Sequence, residues 1–404
     1  HTYEKYSERN KSLVKAQFIL ADTLSLPFLD DFSKESIYPD GNLWLDSSVY
    51  INRDYPISPP TIGVATFDGV SKSGAPYDTL TASGGSGLSA DTLTSKPINL
   101  VGLPADSSVM LSFFWQAKGR GNDPESSDTL LLDFFNPTLK KWKTIWYQKG
   151  FNPSTADSAF RLTKISIVDT AYLKTAFQFR FRNKATITGN VDHWHIDYVY
   201  LDKNRNTADT IFSDVAFAYN SPSLLKNYYA MPWKQYQASE MKTTVGLLIR
   251  NNDNVVKNTS FNYQIKNNLG GLEASYSGGS NNCDPYATNG LWNYAPISNP
   301  PIGNNVPGPG LTAYTYPALT DTASFSVEYT LNTTPDKNRW NDTLRFKQNF
   351  YNYYAYDDGT AEAGYGLNLF GAQIAYKFNL NVPDTLVAVQ MLFNWIPPKV
   401  SSRQ

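Results

Sequence analysis

The sequence predicts an all-β protein built of consecutive β-sandwich modules. Aromatic residues make up 14% of the chain and charged residues only 18%, a balance that favours strands because aromatic side chains pack well on a half-buried pleated surface. Short stretches of alternating polar and apolar residues are separated by turn sequences, and no stretch keeps a 3.6-residue period over three turns. A chain of 404 residues has room for roughly two to four such domains.

Charge and cysteine content exclude several functional classes. The formal net charge is −1, which gives the chain no electrostatic reason to bind nucleic acid or an acidic membrane. A transmembrane helix needs a run of about 18 or more apolar residues, and the sequence has none. Cys283 is the only cysteine and there are three histidines, so neither an intramolecular disulfide nor a Cys/His zinc cluster is expected. The sequence also begins without a signal peptide, and we expect that one was removed.

The first module is predicted at residues 28–204, as a jelly-roll β-sandwich that follows a polar lead-in at residues 1–27. Its strands alternate clearly, and residues 62–67 lead into an Asp68-Gly69 turn. Residues 129–135 and 142–147 are expected to form a hairpin across Asn136-Pro137. In the strand at 176–183, alternation predicts Phe177, Phe179 and Phe181 on one face and Gln178, Arg180 and Arg182 on the other. In the strand at 191–202, it predicts Trp194, Ile196, Tyr198 and Tyr200 on one face.

Two further modules are predicted after a polar linker at residues 202–209. Strand spacing over 209–347 suits a seven-stranded immunoglobulin-like sandwich, interrupted by a long loop, Gly278–Pro317, rich in Gly, Pro and Asn. A third β-module begins near Phe350, with strands predicted at 371–380 and 385–395. About 55 residues are few for a domain with its own hydrophobic core. We therefore expect this module to be truncated and the natural chain to continue past Gln404.

Four stretches carry a resemblance to a known family. They are residues 28–32 with 43–44 and 59–69, residues 119–130, residues 179–181 with 192–199, and residues 354–366. Together they resemble the large surface proteins of Bacteroidota that use the type IX secretion system, many of which have a C-terminal sorting domain. The first module also resembles the jelly rolls of MAM-type and carbohydrate-binding modules. The resemblance implies export to the cell surface or outer membrane, and it implies architecture more than activity.

The jelly-roll resemblance implies a structural Ca²⁺ site. In such folds an acidic residue on the first strand meets another near the last strand, which here points to Asp30, Asp31 and Asp197, with Asp192 as a fourth carboxylate. Ca²⁺ takes six to eight oxygen ligands, so a cluster of carboxylates suits it. The alternative is that Asp30 and Asp31 cap a turn while Asp197 accepts hydrogen bonds from backbone amides.

Other candidate binding residues lie in predicted loops. Asp123, Glu125 and Asp128 form a second acidic cluster, which is expected to be a solvated loop, a second Ca²⁺ site or a bracket for a glycan. Trp233, Trp292 and Tyr294 lie near or in loops, where aromatic faces stack on sugars or anchor protein partners.

These features predict no catalytic residues, and therefore a protein that is not an enzyme. There is no Gly-x-Ser-x-Gly elbow and no Cys/His pair in a plausible context. The favoured hypothesis is a surface scaffold or adhesion protein that is a component or cargo of the type IX secretion and gliding apparatus. Its partners would be other outer-membrane or secretion proteins. The alternatives are an array of carbohydrate-binding modules that recognise surface glycans, and a non-catalytic appendage of a secreted hydrolase.

Overall fold

The computed structural model describes residues 22–78, 86–106, 108–150, 159–242, 245–297, 316–359, 367 and 369–391. These residues form strands and loops almost throughout, so the predicted all-β class is confirmed. The chain divides into two compact units between Thr210 and Ile211. None of the described helices has the length and apolar character that crossing a bilayer requires.

The described residues of the first unit form ten strands in two antiparallel sheets. They are β1 (Phe28–Asp30), β2 (Tyr50–Asn52), β3 (Val64–Phe67), β4 (Leu88–Thr94), β5 (Met110–Ala117), β6 (Thr129–Asn136), β7 (Lys141–Lys149), β8 (Arg161–Ser166), β9 (Gln178–Ala185) and β10 (Trp194–Asp202). One sheet has the order β2-β3-β10-β5-β8, with β1 also paired to β10, and the other has the order β4-β9-β6-β7. The predicted hairpin across Asn136-Pro137 is the β6–β7 pair.

Aromatic side chains from both sheets fill the core of the first unit. The Phe113 ring of β5 lies 4.8 Å from the Phe181 ring of β9, and the Phe28 ring of β1 lies 5.2 Å from that of Phe179. All four rings are buried, as the alternation of β9 predicts. Each buried Phe side chain contributes roughly 1.5–3 kcal/mol. These buried side chains pack one face of β9 against the core. The side chains between them therefore point away from the core.

The predicted alternation of β10 fails in its second half. A bulge between Asp197 and Tyr200 shifts the register with β5, and Tyr198 has a φ of 50°. An extra residue in one strand reverses the side-chain alternation beyond it. The core therefore receives Trp194 and Ile196 before the bulge but Val199 and Leu201 after it.

In the part of the second unit that the structure describes, seven strands are divided three and four between two sheets. They are β11 (Val215–Phe217), β12 (Val245–Asn251), β13 (Lys257–Asn267), β14 (Leu272–Cys283), β15 (Trp292–Ile297), β16 (Ala323–Thr333) and β17 (Thr343–Phe350). The sheet orders are β11-β12-β15 and β14-β13-β16-β17. Phe217 and Leu247 of the first sheet line one small cavity together with Phe261, Tyr329 and Leu331 of the second. Seven strands in two facing sheets agree with the predicted immunoglobulin-like sandwich.

The described helices are single turns in the second unit. They are α1 (Tyr286–Asn289) and three 3-10 helices at Trp233–Gln235, Ala238–Glu240 and Trp340–Asp342. After Phe350 the described residues form no strand, so the strands predicted at 371–380 and 385–395 are absent from the part of them that is described. Phe378 instead stacks beside Tyr228, with ring centroids 6.4 Å apart. The third module stays a prediction.

Candidate functional site

The outer face of the β4-β9-β6-β7 sheet carries an ordered array of aromatic, charged and hydroxyl side chains. On β6, Leu130, Leu132 and Phe134 belong to the core, so the residues between them face outward. The strand register then fixes what lies beside each one on β9 and β7. From one end of the face to the other, the cross-strand rows are Gln178–Phe135–Trp142, Arg180–Asp133–Thr144, Arg182–Leu131–Tyr147 and Lys184–Thr129–Lys149. β4 continues the two middle rows with Thr94 and Thr92.

Asp133 is the centre of this face. Its side chain is 2% exposed, and its Oδ2 accepts hydrogen bonds from Arg180 Nε at 3.0 Å and Arg182 Nε at 2.7 Å. Thr144 Oγ1 donates to Oδ1 at 2.7 Å. Burial alone would raise the pKa of Asp133, but the bonds from Arg182, Thr144 and Arg180 outweigh burial and lower it. The carboxylate is therefore charged, and it holds two guanidinium groups side by side.

Aromatic side chains accompany the ion-pair network on this face. The Arg180 guanidinium lies over the Trp142 ring, 4.3 Å from its centroid, and the Phe135 ring is 5.2 Å from Trp142 on the other strand. Tyr147 is 59% exposed, although it is opposite the buried Leu131. The face thus offers one open phenol ring, one indole ring fixed by its neighbours and a row of polar donors. Few and well-placed polar groups beside aromatic surface are typical of ligand sites.

A second candidate site is a cluster of three carboxylates, Glu125, Asp128 and Asp192. Each has a carboxylate oxygen within 4.8 Å of the others, and no other group of three or more possible metal ligands meets this distance in the described residues. Asp128 and Asp192 are buried, whereas Glu125 is exposed. Burial, followed by the facing Glu125 carboxyl, raises the pKa of Asp128 to about 6. Burial also raises the pKa of Asp192, and the Asp128 charge adds to the effect. A cation would relieve this repulsion.

Backbone amides orient the buried carboxylates. Asp128 accepts hydrogen bonds from the Gly87 amide at 3.1 Å and the Glu125 amide at 2.8 Å, and Asp192 accepts one from the Thr186 amide at 2.6 Å. Each bonded oxygen keeps a second lone pair for a metal. The acidic loops are thus held in place before any ion binds.

His193 joins the two loops that carry these carboxylates. Its Nδ1 accepts a hydrogen bond from the Asn122 amide at 2.9 Å, which leaves Nε2 to donate to Asn190 Oδ1 at 2.8 Å. His195 is similarly fixed, by Thr66 Oγ1 at Nδ1 and by the Lys118 carbonyl at Nε2. Both imidazoles are buried and neutral, with hydrogen bonds at both nitrogens.

The predicted metal site of Asp30, Asp31, Asp197 and Asp192 does not come together as a set, because Asp192 lies with Glu125 and Asp128 instead. Asp30 accepts hydrogen bonds from the Phe32 amide at 2.9 Å and from Trp44 Nε1 at 2.6 Å, and burial raises its pKa to about 7. Asp31 bonds to Ser33. Asp197 accepts from the amides of Thr61 and Tyr198. These contacts match the alternative, in which the carboxylates cap turns and bind backbone amides.

The other predicted binding residues are separated from one another. Asp123 is not part of the carboxylate cluster that contains Glu125 and Asp128. It forms an ion pair with Lys118, with 2.9 Å between Oδ2 and Nζ. Trp233 begins a 3-10 helix and is half-buried, with Lys234 Nζ 5.4 Å from its ring centroid. Trp292 and Tyr294 were predicted in a long loop, but they lie in β15, paired with Ile249 and Leu247 of β12. A ligand role for these residues stays a prediction.

Sequence reasoning missed the outer-face site, although the signals were present. The alternation of β9 places Arg180 and Arg182 on its polar face, and the β6–β7 hairpin is visible around Asn136-Pro137. What was missing is the β6–β9 pairing, which puts Asp133 opposite Arg180 across 47 residues of sequence. Long-range strand pairing is not encoded in any local pattern.

Comparisons with known proteins give matches to solved structures alone. No family model and no curated protein matches the chain. The chain is similar to a putative β-galactosidase from Bacteroides fragilis (12% identity, 63% of this chain and 32% of that one, TM-score 0.25). It is also similar to a calcium-binding mutant of β-glucuronidase 2 from Bacteroides uniformis (10%, 68% and 28%, TM-score 0.25). A third match is the glycoside hydrolase domain of Endo-D from Streptococcus pneumoniae (8%, 81% and 43%, TM-score 0.25).

These matches correct one prediction. The three similar chains are glycoside hydrolases, so the prediction of a protein that is not an enzyme is contradicted and is not retained. The chain spans less than half the length of each of them. With TM-scores of 0.25, the matches assign neither a fold nor an activity, and the side-chain geometry carries the functional argument.

Proposed function

We propose that the first unit binds a carbohydrate chain on the outer face of its four-stranded sheet, as the binding part of a carbohydrate-active protein. One observation carries the proposal: the open Tyr147 ring and the Trp142 ring lie on the same face as the Arg180–Asp133–Arg182 ion-pair network. An aromatic ring offers a flat apolar surface to the C–H groups of a sugar. The charged and hydroxyl groups beside it match the hydroxyls on the ring edge.

Rigidity also favours binding. Asp133 fixes both arginines, and Trp142 packs against Arg180 and Phe135, so little side-chain entropy remains to be lost on association. A flat, pre-arranged face of this kind suits an extended polymer that lies across the strands. The site uses side chains on rigid strands, where positions are more exact than on loops.

Removing the two rings should weaken binding at least tenfold while the fold survives. We expect the double variant Trp142→Ala, Tyr147→Ala to lose at least tenfold in affinity for any polysaccharide that the unmodified protein binds. The open Tyr147 ring is gone, and Arg180 loses the indole ring against which it packs. Affinity electrophoresis in gels with embedded polysaccharides, followed by calorimetry on the best polymer, measures the change.

Trp340→Ala is the matched control for this variant. Trp340 is 64% exposed and lies in the second unit, so its loss should leave affinity unchanged. Equal retention of the double variant and the unmodified protein would contradict the proposed face. Absence of binding by the unmodified protein to every polysaccharide would contradict the proposed function itself.

We further propose that Glu125, Asp128 and Asp192 bind a structural Ca²⁺. All three donors are carboxylates, the hard oxygen ligands that Ca²⁺ prefers, and backbone carbonyls or water would complete its six to eight contacts. Two of the carboxylates are buried beside each other, an arrangement that costs free energy unless a proton or a cation is shared. The ion would fix the loop before β6 to the loop before β10.

Calcium should therefore stabilise the first unit. At a concentration of about 100 times the dissociation constant, the ion adds about 2.7 kcal/mol, which raises the melting temperature of a unit of this size by about 5–10 °C. The rise should be smaller at pH 5 than at pH 7.5, because the pKa of Asp128 is about 6 and protons compete with the ion. Calorimetry with Ca²⁺ and with EDTA tests this expectation.

Two substitutions sharpen the calcium test. Asp192→Asn should remove the calcium-dependent rise, whereas Asp123→Asn should keep it, because Asp123 pairs with Lys118 and lies outside the cluster. A change of less than about 1 °C between Ca²⁺ and EDTA at pH 7.5 would count against the site.

The place of action is a separate proposal. The four sequence stretches that resemble type IX-secreted proteins of Bacteroidota favour an exported protein at the cell surface or outer membrane, with other surface proteins as partners. Antibody labelling of intact source cells should then be positive without permeabilisation. Labelling that needs permeabilised cells would contradict an outward location.

A further inference from the structure

The outer face carries more positive charge than the chain as a whole. Four cationic side chains lie in its rows, Arg180, Arg182, Lys184 and Lys149. Two carboxylates oppose them: Asp133 within the rows, and Asp46, which accepts a hydrogen bond from the Thr94 amide at the β4 edge. The whole chain has a net charge of −1, so this excess of cations is a local feature.

The arginines present donors that Asp133 does not use. Arg180 reaches Asp133 through Nε alone, and in the described part of the chain its two Nη groups donate no hydrogen bond. Arg182 uses Nε at 2.7 Å and Nη2 at 3.4 Å. Asp133 therefore engages neither Nη group of Arg180 and leaves Nη1 of Arg182 unused, and both side chains are partly exposed.

The pattern of charge fits a carboxylate-bearing polymer. An Arg Nη pair matches the two oxygens of a carboxylate in parallel, a geometry that an ammonium group cannot provide. Residues 180 and 184 are about 13 Å apart along β9, and β7 lies about 10 Å from β9 across the sheet. The cations are therefore spread over an area larger than one sugar ring, which suits several anionic groups in sequence.

From this arrangement we propose that the outer face selects acidic polysaccharides whose charge comes from uronic acid carboxylates. The inference rests on the proposed carbohydrate-binding function and adds the ligand class. Arg180 binds a carboxylate through its Nη pair and Arg182 contributes Nη1. Tyr147 contacts an apolar sugar face, and Lys184 and Lys149 attract the following anionic groups.

Four polymers test the selection: polygalacturonic acid, its fully methyl-esterified form, dextran sulfate and an unbranched β-glucan. We expect polygalacturonic acid to retard the protein in affinity electrophoresis at one tenth or less of the concentration needed for the methyl ester. Raising the salt should weaken this retardation, since exposed charges are screened.

The outcomes separate the inference from the proposed function. Equal or stronger binding of the methyl ester or the glucan overturns acidic selection and leaves carbohydrate binding intact. Stronger binding of dextran sulfate than of polygalacturonic acid overturns the preference for carboxylates. If none of the four polymers binds, the proposed function fails together with the inference.

Substitutions assign the selection to particular residues. Arg180→Lys keeps a positive charge beside Asp133, and so protects the fold, but loses the Nη pair; we expect about tenfold weaker binding of polygalacturonic acid. The double variant Lys149→Gln, Lys184→Gln should cause a similar loss and a weaker salt dependence. Lys143→Gln is the control, because Lys143 is opposite the inward-facing Phe134. Unchanged binding by Arg180→Lys would overturn the arginine contact.

Discussion

Gly69→Ala should unfold the first unit at a temperature on the order of 10 °C lower than the unmodified protein. A Cβ built on Gly69 would lie 2.0 Å from the Thr186 carbonyl oxygen and 2.5 Å from that of Gly189. Both obstacles are backbone atoms, so no side-chain rotation can relieve the clash. Overpacking costs about 3 kcal/mol or more where the backbone must move, and each kcal/mol corresponds to about 2–4 °C in a unit of this size.

The position of Gly69 makes the effect local. It follows β3, and the loop that it contacts leads from β9 to Asp192, so a shift of Thr186 also disturbs the amide that holds the Asp192 carboxylate. Calorimetry should show a lower transition for the first unit and an unchanged one for the second. The calcium-dependent rise should also decrease.

Gly41→Ala is the control for this substitution. Gly41 is exposed, and a Cβ there would meet nothing within 4 Å. Its melting temperature should change by less than about 1 °C. If Gly69→Ala melted like Gly41→Ala, the close backbone contact between the two loops would be wrong.

The same glycine illustrates what local sequence patterns can predict. Asp68-Gly69 after an alternating strand predicts a hairpin turn, but Gly69 has no positive φ, and the chain turns further on, where the Ser71 amide donates to the Ala75 carbonyl. Glycine is needed at position 69 because another loop lies against it. A pattern of neighbouring residues cannot distinguish a glycine that is needed for a turn from one that is needed for a close contact with another loop.

Strands were predictable where one face alternates without interruption. Phe177, Phe179 and Phe181 are all buried, because a continuous period of two leaves a single choice of inner face. β10 was less predictable, since the bulge after Asp197 changes faces without a local sequence signal. Burial of Asp197 and its bonds to the Thr61 and Tyr198 amides accompany the bulge.

The carboxylates show how far the members of a binding site can be predicted from sequence. The sequence indicates which loops are acidic, and Glu125 and Asp128 were correctly expected together, as their short separation requires. Asp192 was assigned to the wrong partners, because a contact between residues 64 positions apart depends on sheet order. Trp292 and Tyr294 were predicted in a loop because the flanking Gly and Asn residues mask a strand that forms only by pairing with β12.

Acid should destabilise the first unit through His193 and His195. Burial lowers the pKa of His193 to about 4 and that of His195 to about 3, from an ordinary value of 6.5, and in His195 the neighbouring His193 adds to the effect. The unfolded chain therefore takes up a proton at each imidazole as the pH falls below 6.5, while the folded chain does not. Their stabilising effect is complete above pH 6.5 and is lost as the pH falls towards 4 and 3.

The expected size is about 2–3 kcal/mol for each imidazole between pH 7.5 and pH 4.5. Buried carboxylates act in the opposite direction: the pKa of Asp30 is raised to about 7, so its protonation stabilises the fold as the pH falls. The change in the free energy of unfolding between the two pH values is therefore the difference between the histidine and the carboxylate contributions. Comparing a histidine variant with the unmodified protein isolates the histidine contribution, because the carboxylates are the same in the two proteins.

His195→Gln provides this comparison, since the amide can still accept from Thr66 and donate to the Lys118 carbonyl but does not titrate. The variant should lose about 2–3 kcal/mol less than the unmodified protein between pH 7.5 and pH 4.5. Urea titration at both pH values, following the transition that Gly69→Ala displaces, measures this quantity. Equal losses in the two proteins would mean that His195 is accessible to protons in the folded state, and its burial against Lys118 and Thr66 would then be wrong.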